Sequence, residues 1–177
     1  MDESEVRALQ EASREVAMVE MRGRDLRCNV DLVAIGEIDN AAIDAYEGWP
    51  QDYDFKWERM PKWKTKPAHL TAIDVAVWYD GILAGLCWAS PQESQEKVFV
   101  LYLQRNPDDT LQTRGSIAPI CLSVVRNYAL LMGLKYVVIQ NPIPEARRVY
   151  TEEGFKQVPG LGLAYDLTQD YDALNER

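Results

Sequence analysis

The chain has 177 residues, of which 47% are hydrophobic and 27% are charged. This mixture is typical of one globular domain and excludes a disordered chain, a collagen-like chain and a disulfide-rich mini-protein. The 19 Lys and Arg against 28 Asp and Glu leave a net charge of −9, so we expect no duplex nucleic acid partner, which would require a basic surface.

The cysteine pattern and the apolar runs predict where the protein works. Cys28, Cys87 and Cys121 stand at wide spacing, without the pattern of a disulfide framework or a zinc site, which predicts free thiols and no bound metal. The acidic start lacks the apolar stretch of a signal peptide, and no apolar run approaches the ~20 residues that span a bilayer. We therefore expect a cytoplasmic protein that does not contact a membrane.

The first predicted element is an amphipathic helix in residues 1–23. Asp2 and Glu5 have the spacing of a capping box, and Gly23 is a helix stop. Apolar residues follow the cap at helical spacing, at Val6, Leu9, Ala12, Val16 and Val19. Because this stripe is narrow, we expect the helix to pack on the outside of the domain or against a second subunit, as in a homodimer.

The rest of the chain, residues 24–177, predicts one mixed α/β domain that begins with strands. Asp80-Gly81 is a two-residue hairpin signal between alternating segments. The predicted elements of this half are a strand at 27–35, a short helix at 41–46 capped by Asp39 or Asn40, and a meander of strands at 73–79, 82–89 and 97–103.

The second half alternates between helices and strands. The run at 136–140 is short and continuously apolar, which is typical of a parallel strand buried on both faces. The predicted elements are a helix at 117–132, the strand at 136–140, a helix at 145–152 and a strand pair at 155–158 and 161–167. The whole order is an antiparallel meander followed by β-α-β-α-β in a mixed central sheet flanked by helices.

The loop that leads into the long helix is a candidate anion site, which we call the phosphate loop. Its residues are Arg114, Gly115, Ser116, Ile117 and Ala118. The first amides of a helix lack intrahelical partners and lie at the positive end of its dipole, and small residues let a pyrophosphate approach the backbone. An ordinary helix start has the same composition, so the loop alone does not distinguish an anion site from a plain helix N-terminus.

The late helix resembles the A-x-x-x-Y-x-x-x-G-F signature of the GCN5-related N-acetyltransferases, the GNAT superfamily. The matching residues are Ala146, Tyr150, Gly154 and Phe155. The meander, loop and long helix come in that family's order, so the resemblance covers residues 27–167. It implies a GNAT fold with an extra N-terminal helix. It also implies an acetyl-CoA-dependent N-acetyltransferase in which a primary amine attacks the thioester directly in a ternary complex.

The resemblance also implies roles for particular residues. In this family the phosphate loop binds the pyrophosphate of acetyl-CoA through backbone amides, and the fourth strand pairs with the pantetheine arm, here at Leu101, Tyr102 and Leu103. The tyrosine of the late helix donates a proton to the leaving thiolate, which implies this role for Tyr150. A neutral phenol with a pKa of about 10 suits that task. No metal is implied.

The chain departs from the family at the loop and after the fifth strand. The loop pattern Gln/Arg-x-x-Gly-x-Gly/Ala fits in two registers, on Thr113, Ser116 and Ala118 or on Gln112, Gly115 and Ile117. The family's asparagine position holds Ile143, and Asn141, two residues earlier, either contacts pantetheine or ends the strand. These departures favour the alternative function, a non-catalytic GNAT-fold binding module with weakened or lost CoA binding.

The acceptor side is implied to lie in residues 47–69, which are rich in aromatic and charged side chains. The candidate acceptor contacts are Glu47, Trp49, Asp54 and Trp57, because carboxylates attract an ammonium and rings stabilise it. The acceptor is then a small-molecule or protein amine. The same segment interleaves lysines with tryptophans, which suits a phosphate or a stacked base, as in charged transfer RNA. The remaining interpretation is that the tryptophans pack on the core.

The general base is open at this stage. The fourth strand offers Gln104 and no carboxylate, so Glu47 or Asp54 acting through water is one route. His69, the single histidine of the chain, titrates in a useful range. A histidine in this place is more often structural.

Overall fold

The computed structural model describes residues 1–50 and 55–176. These residues form one mixed sheet of seven strands in the order β1-β2-β3-β4-β5-β7-β6, with helices on both faces. The strands are β1 (Val33–Gly36), β2 (Ile73–Tyr79), β3 (Ile82–Ser90), β4 (Lys97–Arg105), β5 (Tyr136–Ile139), β6 (Lys156–Val158) and β7 (Gly162–Asp166). The helices are α1 (Glu3–Arg22), α2 (Asn40–Glu47), α3 (Met60–Lys64), α4 (Ile117–Leu131), α5 (Arg147–Glu152) and α6 (Thr168–Asn175). The predicted mixed sheet is confirmed, with β4 and β5 parallel and the meander antiparallel.

Local cap and turn signals are confirmed. The Asp2 side chain accepts a hydrogen bond from the Glu5 amide at 2.9 Å, and the Glu5 side chain accepts one from the Asp2 amide at 2.7 Å. Asp39 caps α2 by accepting from Ala42 N at 2.9 Å. The β2–β3 hairpin turns at Asp80-Gly81, and both residues have positive φ, as a tight hairpin turn of this length requires.

The buried face of α1 differs from the predicted stripe. The helix packs against α4 from the outside of the domain, and its fully buried apolar residues are Ala17 and Met21. Val16 and Val19, predicted on its packed stripe, are 42% and 65% exposed. Ser13 takes part in the buried face because its hydroxyl donates to a backbone carbonyl within the helix, and a polar residue of this kind is invisible to an apolar pattern. The homodimer stays a prediction.

Two further elements differ from expectation. The strand predicted at 27–35 is restricted to β1, because Asn29 caps a 3₁₀ turn at Val30–Leu32 by accepting from Asp31 N at 3.1 Å. Helix α6 was not predicted, and it docks through the Tyr171 hydroxyl, which lies 2.9 Å from Leu134 O and 3.1 Å from Leu130 O. No described helix has both the length and the apolar content needed to cross a bilayer.

The sheet has a separate hydrophobic core on each face. The α4 core lies under α1 and α4 and includes Cys87, Val98, Val100, Cys121, Tyr150 and Phe155. The aromatic core lies under α2 and α3 and includes Tyr46, Trp49, Trp57, Met60, Leu86 and Trp88. Any ligand held between strands of this sheet therefore has a different environment on each side.

A buried carboxylate ties three helices to β2. Asp74, 3% exposed, accepts from Ile38 N at 2.5 Å, just before α2. Its other contacts are ion pairs with Arg14 of α1 at 3.3 Å and Lys64 of α3 at 3.2 Å. Because a buried charge is stable only when it is paired and hydrogen-bonded, these contacts explain how Asp74 is accommodated.

Candidate active site

Strands β4 and β5 pair over a short stretch and then part. Their register runs from Lys97–Tyr136 to Val100–Ile139, whereas β4 continues against β3 as far as Arg105. Residues 101–105 therefore have β3 on one edge and no strand among the described residues on the other. We call this gap the β4 opening. At Leu101, Tyr102 and Leu103 the open edge can bind an extended ligand as an added strand would.

A β-bulge lies where β4 leaves β5. Trp88 is opposite Tyr102 and Ala89 is opposite Val100, so Leu101 is the extra residue. Val100 packs in the α4 core, whereas Leu101 and Tyr102 both pack against the aromatic core. The bulge thus turns two successive side chains to the same face and leaves their backbone at the β4 opening.

The phosphate loop ends directly at the start of α4. Gly115 has φ +80°, and a Cβ there would lie 3.6 Å from Nη1 of Arg27. The Ile117 side chain packs directly on β3 at Gly85. Any residue with a Cβ at that position would clash, because the Cβ would lie 2.3 Å from the Ile117 Cγ2. Two glycines therefore bring the first turn of α4 close to the sheet and the Arg27 side chain close to the loop.

The phosphate loop has the features of an anion site. The amides of Ile117 and Ala118 open α4, and no backbone acceptor among the described residues meets them. The Ser116 hydroxyl is fully buried and has no hydrogen-bond partner in the described part of the chain. Arg27 and Arg114 are exposed and form no ion pair with a described residue. A cation at the positive end of a helix is unfavourable unless an anion lies between them.

Tyr150 lies in α5 and is 8% exposed in the α4 core. Burial, and to a smaller extent the neighbouring thiols of Cys87 and Cys121, raise the pKa of Tyr150 to about 12. Its hydroxyl has no hydrogen-bond partner among the described residues. Tyr150 shares the α4 core with Cys87, which is the β3 partner of Leu103. The phenol is therefore neutral at physiological pH and lies on the α4 face of the sheet.

The residues after Tyr150 hold α5 in this place. Phe155 is 1% exposed and meets the Tyr150 ring edge-on at 6.0 Å. Gly154 has φ +90°, and a Cβ there would lie 3.0 Å from Cε2 of Tyr165. The tight turn and the close approach of β7 both favour glycine, which gives the signature a physical reason.

Solved structures share this architecture at low sequence identity. A ribosomal-protein-alanine N-acetyltransferase from Escherichia coli superposes with a TM-score of 0.54 at 13% identity, over 76% of this chain and 93% of that chain. An aminoglycoside N-acetyltransferase from Enterococcus faecium gives 0.52 at 14%, over 74% and 92%. A putative acetyltransferase from Salmonella typhimurium, solved with acetyl-CoA, gives 0.53 at 16%, over 77% and 94%. This chain has the GNAT fold. A scan against protein-family models and a search of curated proteins each gave no match.

In this GNAT fold, Asn141 stands where the β4 opening begins. Gln140 N donates to Val100 O at 3.1 Å, and Asn141 then takes a left-handed conformation with φ +50° that leads the chain away from β4. Asparagine tolerates this conformation better than most residues. Asn141 therefore ends the strand, and its contact with pantetheine stays a prediction.

The predicted acceptor residues lie in different places. Trp57 is fully buried and Trp49 is 6% exposed, so both pack the aromatic core and neither is a pocket wall in this structure. Trp57 Nε1 donates to Gln104 Oε1 at 2.8 Å, which orients the indole under β4. Glu47 is exposed at the end of α2, and Asp54 lies outside the described residues.

Two aromatic residues that were not predicted lie beside Tyr102 on the bulge. Trp63 stacks on the Tyr102 ring at 5.1 Å, and Phe55 lies 5.4 Å from it. All three are half-buried, so they have surface left for a ligand. We call them the aromatic wall. Their segment was recognisable from the sequence, but the choice of these rings over Trp49 and Trp57 depends on packing.

Arg27 was also missed. It precedes β1 and lies far from the phosphate loop in sequence, so no local motif links the two. The proximity of Arg27 to Gly115 exists only in the folded chain, where α1 packs against α4. The sequence alone therefore gives no reason to select Arg27.

Proposed function

We propose that this protein is an N-acetyltransferase that uses acetyl-CoA to acetylate a primary amine. The observation that carries the proposal is the β4 opening, which has the phosphate loop at the start of α4 and the Tyr150 phenol over its α4 face. The GNAT-fold structures from Salmonella typhimurium and Campylobacter jejuni were solved with acetyl-CoA, which supports the same donor here.

The residues present fit this donor. The phosphates would lie against the open amides of Ile117 and Ala118, with Arg27 and Arg114 supplying positive charge. The pantetheine arm would pair with the backbone of residues 101–103. The buried, unpartnered Ser116 hydroxyl is a further donor at the loop. When bound, the donor supplies a thioester whose carbonyl carbon is the electrophile.

The two faces of the sheet separate the reacting groups. Tyr150 belongs to the α4 core, whereas Leu101 and Tyr102 of the bulge face the aromatic core. The amine would approach along the aromatic wall and attack the carbonyl through the β4 opening. The thiolate would leave on the opposite face, where Tyr150 donates its proton. Backbone amides of β4 would polarise the carbonyl, which is commonly a large contribution to the rate.

The acceptor is proposed as a class, a small-molecule or protein amine. The similar proteins from Escherichia coli and Enterococcus faecium are named for acetylating an alanine of a ribosomal protein and an aminoglycoside. This fold is therefore compatible with both kinds of acceptor. Aromatic rings at the bulge suit an ammonium or an apolar group next to the reacting amine.

Thermal unfolding with and without acetyl-CoA tests the proposal. A ligand at 100 times its Kd stabilises a protein by about 2.7 kcal/mol, which for this size raises the midpoint by roughly 5–10 °C. A shift of that order should accompany release of free CoA thiol in a screen of primary amines. No shift at millimolar acetyl-CoA would contradict the proposal and favour a binding module that has lost its donor. A thermal shift without release of CoA thiol in the presence of any amine would show that the protein binds acetyl-CoA and does not transfer the acetyl group.

A further inference from the structure

The single histidine lies on the face of the sheet opposite Tyr150. His69 meets the Trp88 ring edge-on at 5.7 Å, and Trp88 is the β3 partner of Tyr102 at the bulge. Trp63 of the aromatic wall lies 6.0 Å from the same Trp88 ring. A continuous set of aromatic contacts therefore connects the imidazole to the acceptor face of the β4 opening.

The hydrogen-bond partner of the His69 ring is the Ser90 hydroxyl. The Ser90 hydroxyl is fully buried, donates to Ala68 O at 3.1 Å and accepts from Gln92 N at 3.2 Å. It also lies 2.9 Å from Nδ1 of His69. A hydroxyl has one proton to donate, so when that proton is donated to Ala68 O, the Ser90 oxygen accepts from Nδ1, and Nδ1 carries the hydrogen. Nε2 is then the basic nitrogen, and no described residue hydrogen-bonds to it.

The surroundings keep the imidazole neutral. Burial, and then the nearby Lys66 cation, lower the pKa of His69 below its usual 6.5. Lys66, on the turn before it, is the charged group that faces the ring, and β3 contributes only the uncharged Ser90 and Trp88. Tyr150 has a raised pKa. Oppositely shifted groups on the two sides of a site are typical of a base and an acid that act together.

We propose that His69 is the general base of the transfer and that Ser90 holds its ring in the Nδ1–H form. This inference rests on the proposed acetyltransferase function. As the amine nitrogen bonds to the acetyl carbon, its N–H bond breaks and the proton passes through water to Nε2, because Trp88 and Trp63 lie between the imidazole and Tyr102. The C–S bond breaks with its electron pair on sulfur, which takes the proton of Tyr150. Solvent then removes the proton from His69 and returns one to Tyr150.

Imidazole has a suitable strength for this step. An alkylammonium in water holds its proton much more tightly than an imidazolium does. The nitrogen becomes far more acidic once it bonds to the carbonyl carbon, so a base with a pKa near the working pH accepts its proton at that point.

Kinetics of the full-length protein test the base. With an amine found in the screen, kcat/KM of the wild type should fall as the pH decreases through the pKa of His69, below 6.5. His69→Gln should lower kcat by about 10²–10⁴-fold, leave the acetyl-CoA thermal shift unchanged and lose that acid limb. Ser90→Ala should give a smaller loss and retain the limb. An unchanged rate and pH profile in a folded His69→Gln protein would overturn the proposal and leave the acetyltransferase function standing.

A second measurement does not depend on activity. Because the chain has one histidine, ¹⁵N NMR of the imidazole gives one unambiguous set of signals. We expect the Nδ1–H tautomer, titration below pH 6.5, and a shift towards Nε2–H in Ser90→Ala. An Nε2–H tautomer in the wild type would contradict the proposed base. Absence of both the thermal shift and thiol release with every amine would instead reject the acetyltransferase function.

Discussion

On the α4 face the candidate site is assembled from regular elements, whereas on the aromatic face it is assembled from turns and ring contacts. The phosphate loop and Tyr150 are placed by α4, α5 and glycines at positive φ, which act through the local backbone. The aromatic wall is placed by a 3₁₀ turn, the five-residue α3 and stacking on Tyr102. In the proposed function the α4 face binds the donor and the aromatic face selects the acceptor, so variants on each side should have distinguishable effects.

Asp74→Asn should have the largest effect because it removes the anion that connects both sides. Arg14 and Lys64 would lose their buried partner, which we expect to lower the free energy of unfolding by about 3 kcal/mol. The melting temperature should fall by roughly 6–12 °C. Glu96→Gln is the matched control, because its ion pair with Lys135 is exposed and should change stability little. Equal shifts for the two variants would show that Asp74 does not hold the helices together.

Tyr150→Phe should affect catalysis on the donor side alone. We expect turnover to fall by about 10²-fold while the acetyl-CoA thermal shift stays the same, because the phenyl ring keeps the packing and loses the proton donor. The pKa of Tyr150 is raised to about 12, so ionisation of this residue should not lower wild-type turnover between pH 7 and 10. Tyr165→Phe, whose hydroxyl bonds Asp170 at 3.3 Å, is the control and should retain activity. If both variants are equally active, Tyr150 takes no part in the chemistry.

Arg27→Gln should weaken donor binding without changing the acceptor side. Loss of one charge-assisted contact to a phosphate corresponds to about 1.5 kcal/mol, or roughly 10-fold in Kd for CoA by calorimetry. The salt dependence of binding should also decrease. Arg22→Gln, an exposed arginine at the end of α1, is the matched control. If both substitutions change the Kd for CoA by the same factor, Arg27 does not contact the phosphates.

Trp63→Leu should have the smallest effect, limited to the acceptor. Removing the ring that stacks on Tyr102 should raise KM for the amine by roughly 5-fold, equivalent to about 1 kcal/mol of ring contact. KM for acetyl-CoA should not change. Trp78→Leu provides the comparison, because Trp78 is half-buried against the same core on β2. The assignment of the two sides would be wrong if Trp63→Leu changed the KM for acetyl-CoA instead.

The sequence by itself determined the elements whose signals lie within a few residues. The Asp2 cap, the Asp80-Gly81 hairpin, the start of α4 and the signature from Tyr150 to Phe155 are all local, because backbone conformation and capping depend on near neighbours. The GNAT resemblance had the same basis, since its motif is short and contiguous. These signals gave the order of the seven strands and of the helices α1, α2, α4 and α5, whereas α3, α6 and the position of Arg27 carry no such local signal.

Only the tertiary structure decided features that join distant segments. The buried face of α1 depends on its packing against α4, and the β4 opening depends on where the pairing with β5 stops. Which aromatic rings reach Tyr102, and which nitrogen of His69 is basic, depend on contacts with β3 and β4. Burial and hydrogen bonding are set by residues far apart in the chain, so a pattern along the sequence identifies the candidates and packing selects among them.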